Sequence, residues 1–152
     1  MTLRGWSRPA PNTIRSADPT VDGRTQLHLD AAERHKNLAP WLLHSPRPPD
    51  LTSYPDEWVV TILFYSAVHL ISAYLMERAG PGSIPRSHAE RFAEVGRRPE
   101  LRSIVMPYTE LYDWSIAARY AARPTFAATD LQAASDDRDR IARVISQLLG
   151  VE

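Results

Sequence analysis

Among the histidines and arginines of this sequence, His69, His88, Arg86, Arg91 and Arg119 stand where proton transfer and anion binding could be carried out. An imidazole titrates near neutral pH, and a guanidinium presents a fixed charge in a planar fork that fits a phosphate. RNA cleavage without a metal needs that combination, a base for the 2′-hydroxyl proton and a cation for charge building on the phosphate. His88 lies in Ser87-His88-Ala89-Glu90, where Ser87 and Glu90 have capping-box spacing. The first turn of a helix starting there offers unpaired N–H groups and a positive dipole end, with Arg86 and Arg91 on either side. The same position should lower the pKa of His88 and favour the neutral base. The plainer reading is a solvated helix start whose arginines pair with Glu90 and Glu94.

His69 interrupts an otherwise uncharged run, 58–76, and follows Tyr65 by one helical turn. Arg119 follows Ser115 by one turn, on or beside an apolar stripe. A buried arginine needs partners, and Tyr65, His69 or Tyr112 could share a polar network with it. Such a network could equally be architectural, fixing helix register alone.

The elements that must position these groups all read as helices, because apolar residues recur at three- and four-residue intervals and no stretch alternates with period two. The first should span about 25–43, ending before the prolines at 46, 48 and 49. The second should begin near Ser53, capped with Asp56, and end before Gly80-Pro81. A short third covers about 87–96, the fourth about 100–122, closed by Pro124, and the fifth about 129–149. The run 58–76 is long enough to cross a bilayer, but its flanking acids Asp56, Glu57 and Glu77 and its internal polar residues favour a central core helix. The expected fold is an all-α, up-and-down bundle of four long helices and one short one. It forms a single domain over 24–152, preceded by a mobile, proline-punctuated arm over 1–23.

Acidic and basic side chains balance at 18 each, so any nucleic-acid contact must come from a local patch rather than the overall field. Cysteine is absent, which excludes disulfides, thiolate metal sites and cysteine nucleophiles and fits a reducing cytoplasm. No Gly-Lys-Ser or Gly-Lys-Thr loop follows Gly80 and Gly82, and no Gly-x-Ser-x-Gly elbow is present. His28 and His35 would lie about 10 Å apart along one helix, which reads as two surface histidines rather than a metal site. The cluster Asp136, Asp137, Arg138, Asp139, Arg140 reads as a solvated face. Neither a cofactor nor a metal site is assigned.

Three pieces in order, Phe64-Tyr65-Ser66-Ala67-Val68-His69-Leu70, Pro85-Arg86-Ser87-His88 to Arg91, and 108–120 ending Ala118-Arg119-Tyr120, resemble the HEPN superfamily of small bacterial helical bundles. The resemblance covers roughly 27–149. It implies a homodimeric bundle from a toxin–antitoxin or phage-defence system, with RNA as target and a cognate antitoxin or defence protein as partner. Family members that cut RNA do so without metal, using an arginine and a histidine separated by four to six residues, generally at a dimer interface. This chain lacks that spacing; Arg24 and His28 come nearest, with three residues between them. Catalysis would then fall to a displaced set, His69, His88 and Arg119, with Arg86, Ser87, Arg91 and Tyr120 binding phosphate or RNA. The competing class is a non-catalytic module for homodimerisation or partner binding. Trp114 beside Tyr112 is the expected exposed aromatic for such an interface.

Overall fold

A computed structural model of the chain describes residues 21–44, 56–121 and 125–151. These form five α-helices: α1 (Gly23–His44), α2 (Asp56–Ala79), α3 (His88–Arg97), α4 (Val105–Tyr120) and α5 (Ala128–Leu149). Short 3-10 segments, Pro81–Ser83 and Pro99–Ile104, precede α3 and α4, and no strand occurs among the described residues. The expected amino-terminal arm falls almost wholly outside those residues, as do the Ser53 cap and Pro124.

Helix α2 is the axis of the bundle, packed against α1, α4, α5 and the Pro81–Ser83 turn. It is apolar around most of its circumference, and a helix of that kind must be surrounded. It is also long and apolar enough to cross a membrane; in this fold most of that surface is buried in the bundle. Its one open stripe is Trp58, Ile62, Tyr65 and His69, at i, i+4, i+7 and i+11.

Glu77 sets the antiparallel pairing of α1 with α2. Its Oε2 accepts the hydroxyl of fully buried Thr25 at 2.8 Å and the backbone N–H of Asp22 at 3.2 Å. The Asp22 carboxylate accepts the Arg24 N–H at 2.6 Å, so α1 starts two residues earlier than expected, on an acidic cap. Further along, the Ser66 hydroxyl of α2 donates to the Ala32 carbonyl at 2.8 Å. Helix α2 ends where Gly80 takes φ 80°, a left-handed conformation that costs glycine little, while the Ser83 hydroxyl donates to the Leu75 carbonyl.

The continuous helix expected over 100–122 is divided. Pro107 has no N–H and would clash with the carbonyl four residues back, so α geometry begins only at Val105, which places Pro107 in the first turn. The preceding 3-10 segment eclipses Leu101 and Ile104 and buries both completely. Helix α5 opens with the Asp130 carboxylate accepting the Ala127 N–H at 2.8 Å.

Two surface expectations are corrected. Arg138 lies within the charged cluster of α5, yet its side chain is only 4% exposed. Its Nε donates to Ser66 Oγ at 2.9 Å, Nη1 donates to Asp139 Oδ1 at 2.9 Å, and Nη2 lies 3.8 Å from Glu33 Oε2, tying α5 to α2 and α1. Trp114 is half-buried against the core. Among the described residues the exposed aromatics are instead Trp41, Trp58 and Tyr120.

Candidate functional site

The histidines at 28 and 35 are two turns apart on the face of α1 that meets α2, and His69 reaches both. His28 Nδ1 and His69 Nδ1 are 3.1 Å apart, while the His35 and His69 rings stack with centroids 5.2 Å apart. The expectation of two independent surface histidines is therefore wrong: a third imidazole from the neighbouring helix fills the interval. The Nδ1···Nδ1 contact requires one ring to donate and the other to accept. His35 Nδ1 lies 2.7 Å from the Ala31 carbonyl, which can only accept, so its proton sits on Nδ1.

Burial, then His35, His28, Arg34 and Arg91, lowers the His69 pKa from 6.5 to about 4. Burial and then Arg91 lower that of His28 as well. Both imidazoles are neutral at physiological pH, side by side with fixed cations.

Helix α3 brings the second half of the cluster. Ser87 caps it as expected, its Oγ accepting the Glu90 N–H at 3.2 Å, while Glu90 reaches back to the Arg86 N–H at 2.8 Å, one residue beyond the capping-box position. The His88 ring lies among Phe64, Tyr112 and Tyr65 at centroid distances of 5.2, 5.5 and 6.4 Å, and its Nδ1 has no hydrogen-bond partner. Burial first, then Arg91 and Arg119, hold His88 below its ordinary pKa.

Arg91 is turned inward, 7% exposed. Its Nη2 donates to the Pro85 carbonyl at 3.1 Å, its Nε has no partner, and it forms no ion pair among the described residues. Beside it lies the fully buried Tyr108; burial pushes its pKa up to about 12, against the charge and the side-chain hydrogen bonding of Arg91.

Arg119 completes the cluster from the end of α4. Its Nε donates to the Ser115 carbonyl at 2.9 Å and its Nη2 to Ser115 Oγ at 3.2 Å. The guanidinium carbon lies 6.0 Å from the Tyr65 ring centre and 5.4 Å from that of Tyr120.

The structure thus gathers His69, His88, Arg91 and Arg119, and the side chain of Tyr120 joins them through Arg119. It separates Arg86 and Ser87, which are exposed at the start of α3, from the buried Arg91. The single anion site expected around that helix start is not formed, because α3 packs Arg91 into the bundle and leaves Arg86 outside. Sequence reasoning missed His28, His35, Arg34 and Tyr108. A seven-residue histidine repeat on a helix face was the available signal.

The neutral state of His69 has a measurable consequence. A histidine whose folded pKa lies below its unfolded value contributes nothing adverse above about pH 6.5, and destabilises progressively as pH falls towards 4. Asp137 acts with the opposite sign: burial, then Glu110, raise its pKa from 3.8 to about 6, so the folded state gains relative stability as it protonates. The diagnostic is therefore the difference between wild type and His69→Gln. Between pH 7 and 4 wild type should lose about 1–2 kcal/mol more than the variant, a figure discounted for the half-exposed ring. Parallel stability curves from denaturant titrations at several pH values would contradict the assignment.

The fold and cluster define an all-helical bundle with neutral histidines and acid-free arginines at the meeting of α1, α2, α3 and α4. Comparison with known protein families, curated proteins and solved structures returns no match to this chain.

Proposed function

We propose that the chain is a HEPN-like, RNA-directed protein of a bacterial defence or toxin–antitoxin system, acting in the cytoplasm as a metal-independent ribonuclease at the histidine–arginine cluster. On this reading the described helices correspond to the HEPN pattern of four long helices and one short one. The observation that carries the proposal is the buried guanidinium of Arg91, without an acid partner, among His28, His69 and His88 held in the neutral form.

A neutral imidazole can take the 2′-hydroxyl proton, freeing the oxygen to attack phosphorus and expel the 5′-oxygen as a 2′,3′-cyclic phosphate forms. A proton delivered to that leaving oxygen completes the step. His88, half-buried and one turn from Arg91, is assigned as the base. The proton that His88 takes up is the one it then gives to the leaving 5′-oxygen, while neutral His69, in contact with His28, lines the site. Arg91 and Arg119 stabilise charge on the phosphate. RNA incubated with the purified protein in chelator should be cleaved, and His88→Ala should slow cleavage by at least about 100-fold. An intact substrate under those conditions would overturn the ribonuclease assignment.

One observation favours the second reading, a helical module for self-association or partner binding. Leu27, Leu38 and Trp41 share the outer stripe of α1 and are exposed. A monomer mass by light scattering at tens of micromolar protein would count against the homodimer.

A further inference from the structure

The proposed reading says that RNA is the target but not which form of it. Arg119, Tyr65 and Tyr120 address that question, and the inference here rests on the RNA-directed reading. The Arg119 guanidinium is held by two hydrogen bonds to one residue of its own helix, Nε to the Ser115 carbonyl and Nη2 to Ser115 Oγ, so its plane is set by α4 rather than by solvent. Tyr65 on α2 and Tyr120 at the end of α4 both lie against it, with centroid distances of 6.0 and 5.4 Å. Arg119 forms no ion pair among the described residues, so its charge is not neutralised by a neighbouring acid.

The two tyrosines differ in access. Tyr65 is half-buried, and its ring also lies near His88, so the inner end of the stack opens into the histidine cluster. Tyr120 is 73% exposed. A large ring left in water on a short side chain, backed by a pinned arginine, is a surface that a flat aromatic ligand can cover with little loss of side-chain entropy. The groups deeper in, His88, Arg91 and Arg119, suit an anion attached to that ligand.

We propose that Tyr120, backed by Arg119 and Tyr65, is a stacking platform for an unpaired base, and that the protein therefore selects single-stranded RNA over duplex. The base lies on the Tyr120 ring and the adjoining phosphate takes the guanidinium donors of Arg119 that Ser115 leaves free. A duplex cannot use the platform, because its bases present only their edges in the grooves and their faces are already stacked. Stacking on an aromatic ring is tolerant of sequence, so the preference is for strandedness and not for a particular base.

The test uses a fluorescently labelled RNA made uncleavable by 2′-O-methyl groups, as a single strand and as a duplex of equal length, with fluorescence anisotropy on the full chain. Wild type should bind the single strand at least about tenfold more tightly than the duplex. Tyr120→Ala should reduce single-strand affinity about tenfold, leave duplex affinity unchanged and keep the salt slope, since no phosphate contact is lost. Tyr120→Phe should retain wild-type binding, because the ring and not the hydroxyl acts. Equal binding of the two forms, or a Tyr120→Ala variant that binds the single strand like wild type, overturns the platform while leaving the RNA-directed reading in place. Strand-selective binding lost on Tyr120→Ala, in a protein that cuts no cleavable RNA, supports the platform and overturns the ribonuclease. Absence of binding to either form overturns both. Circular dichroism on each variant separates loss of the ring from loss of the fold.

Discussion

Phe64→Ala should unfold the protein about 3–5 kcal/mol more easily than wild type, because it empties the centre of the bundle. Phe64 is completely buried on α2, with its ring within 6 Å, centre to centre, of His88, Tyr108, Tyr112 and Tyr65. No single neighbour can move into the space, since those rings come from α2, α3 and α4 and are held by their own helices. The loss corresponds to a fall of about 10 °C in Tm for a domain of this size. The same substitution should raise the pKa of His88 towards its ordinary value, because burial is the first cause of its depression. Phe64→Leu, which keeps most of the volume, should cost much less. Denaturant titration read beside an NMR titration of the His88 ring checks both effects; a cost below about 1 kcal/mol would mean that the aromatic cluster is not the centre of the core.

Replacing Arg138 separates two reasons for its burial. Arg138→Ala removes a long stem from between α5, α2 and α1 and should cost about 2–4 kcal/mol, chiefly as lost packing. Arg138→Met keeps the stem and removes the charge. It should cost less than about 1 kcal/mol, since burying a guanidinium carries a desolvation penalty that its contacts with Ser66, Asp139 and Glu33 only offset. Glu33 and Asp139 are about half exposed and are solvated once the arginine is gone, so neither is left as an uncompensated buried charge. Thermal unfolding of the two variants side by side decides the matter. A methionine variant as unstable as the alanine variant would show that the polar links, and not the stem, hold α5 in place.

Much of the helical framework is legible one residue at a time. The Ser87 cap, the glycine ending α2 and the turn of helix at each apolar repeat are local effects, confined to a few residues of backbone, and each appears close to where the pattern places it. Local rules also account for the misplaced start of α4. Pro107 itself encodes the break, since the missing N–H is a property of that residue alone.

The candidate site was only half visible. His69, His88, Arg91 and Arg119 stand out because each is a polar group within or beside an apolar pattern. His28 and His35 do not, because their significance depends on what lies opposite them. Whether a histidine on α1 faces water or another imidazole is settled by the rotation of α1 about its axis, which Thr25–Glu77 and Ser66–Ala32 fix from the other helix.

By itself, then, the sequence determined that the chain is helical, that α2 is its most apolar segment and that α3 begins on a serine cap. These follow from side-chain periodicity and capping, which act over three to four residues. Only the tertiary structure decided that Arg91 and Arg138 lie inside, that Arg86 lies outside and that three histidines from two helices form one cluster. Arginines within one short charged segment look alike to any local rule. The face each presents depends on which helix packs against it, and a residue's burial and pKa are set by neighbours distant in sequence.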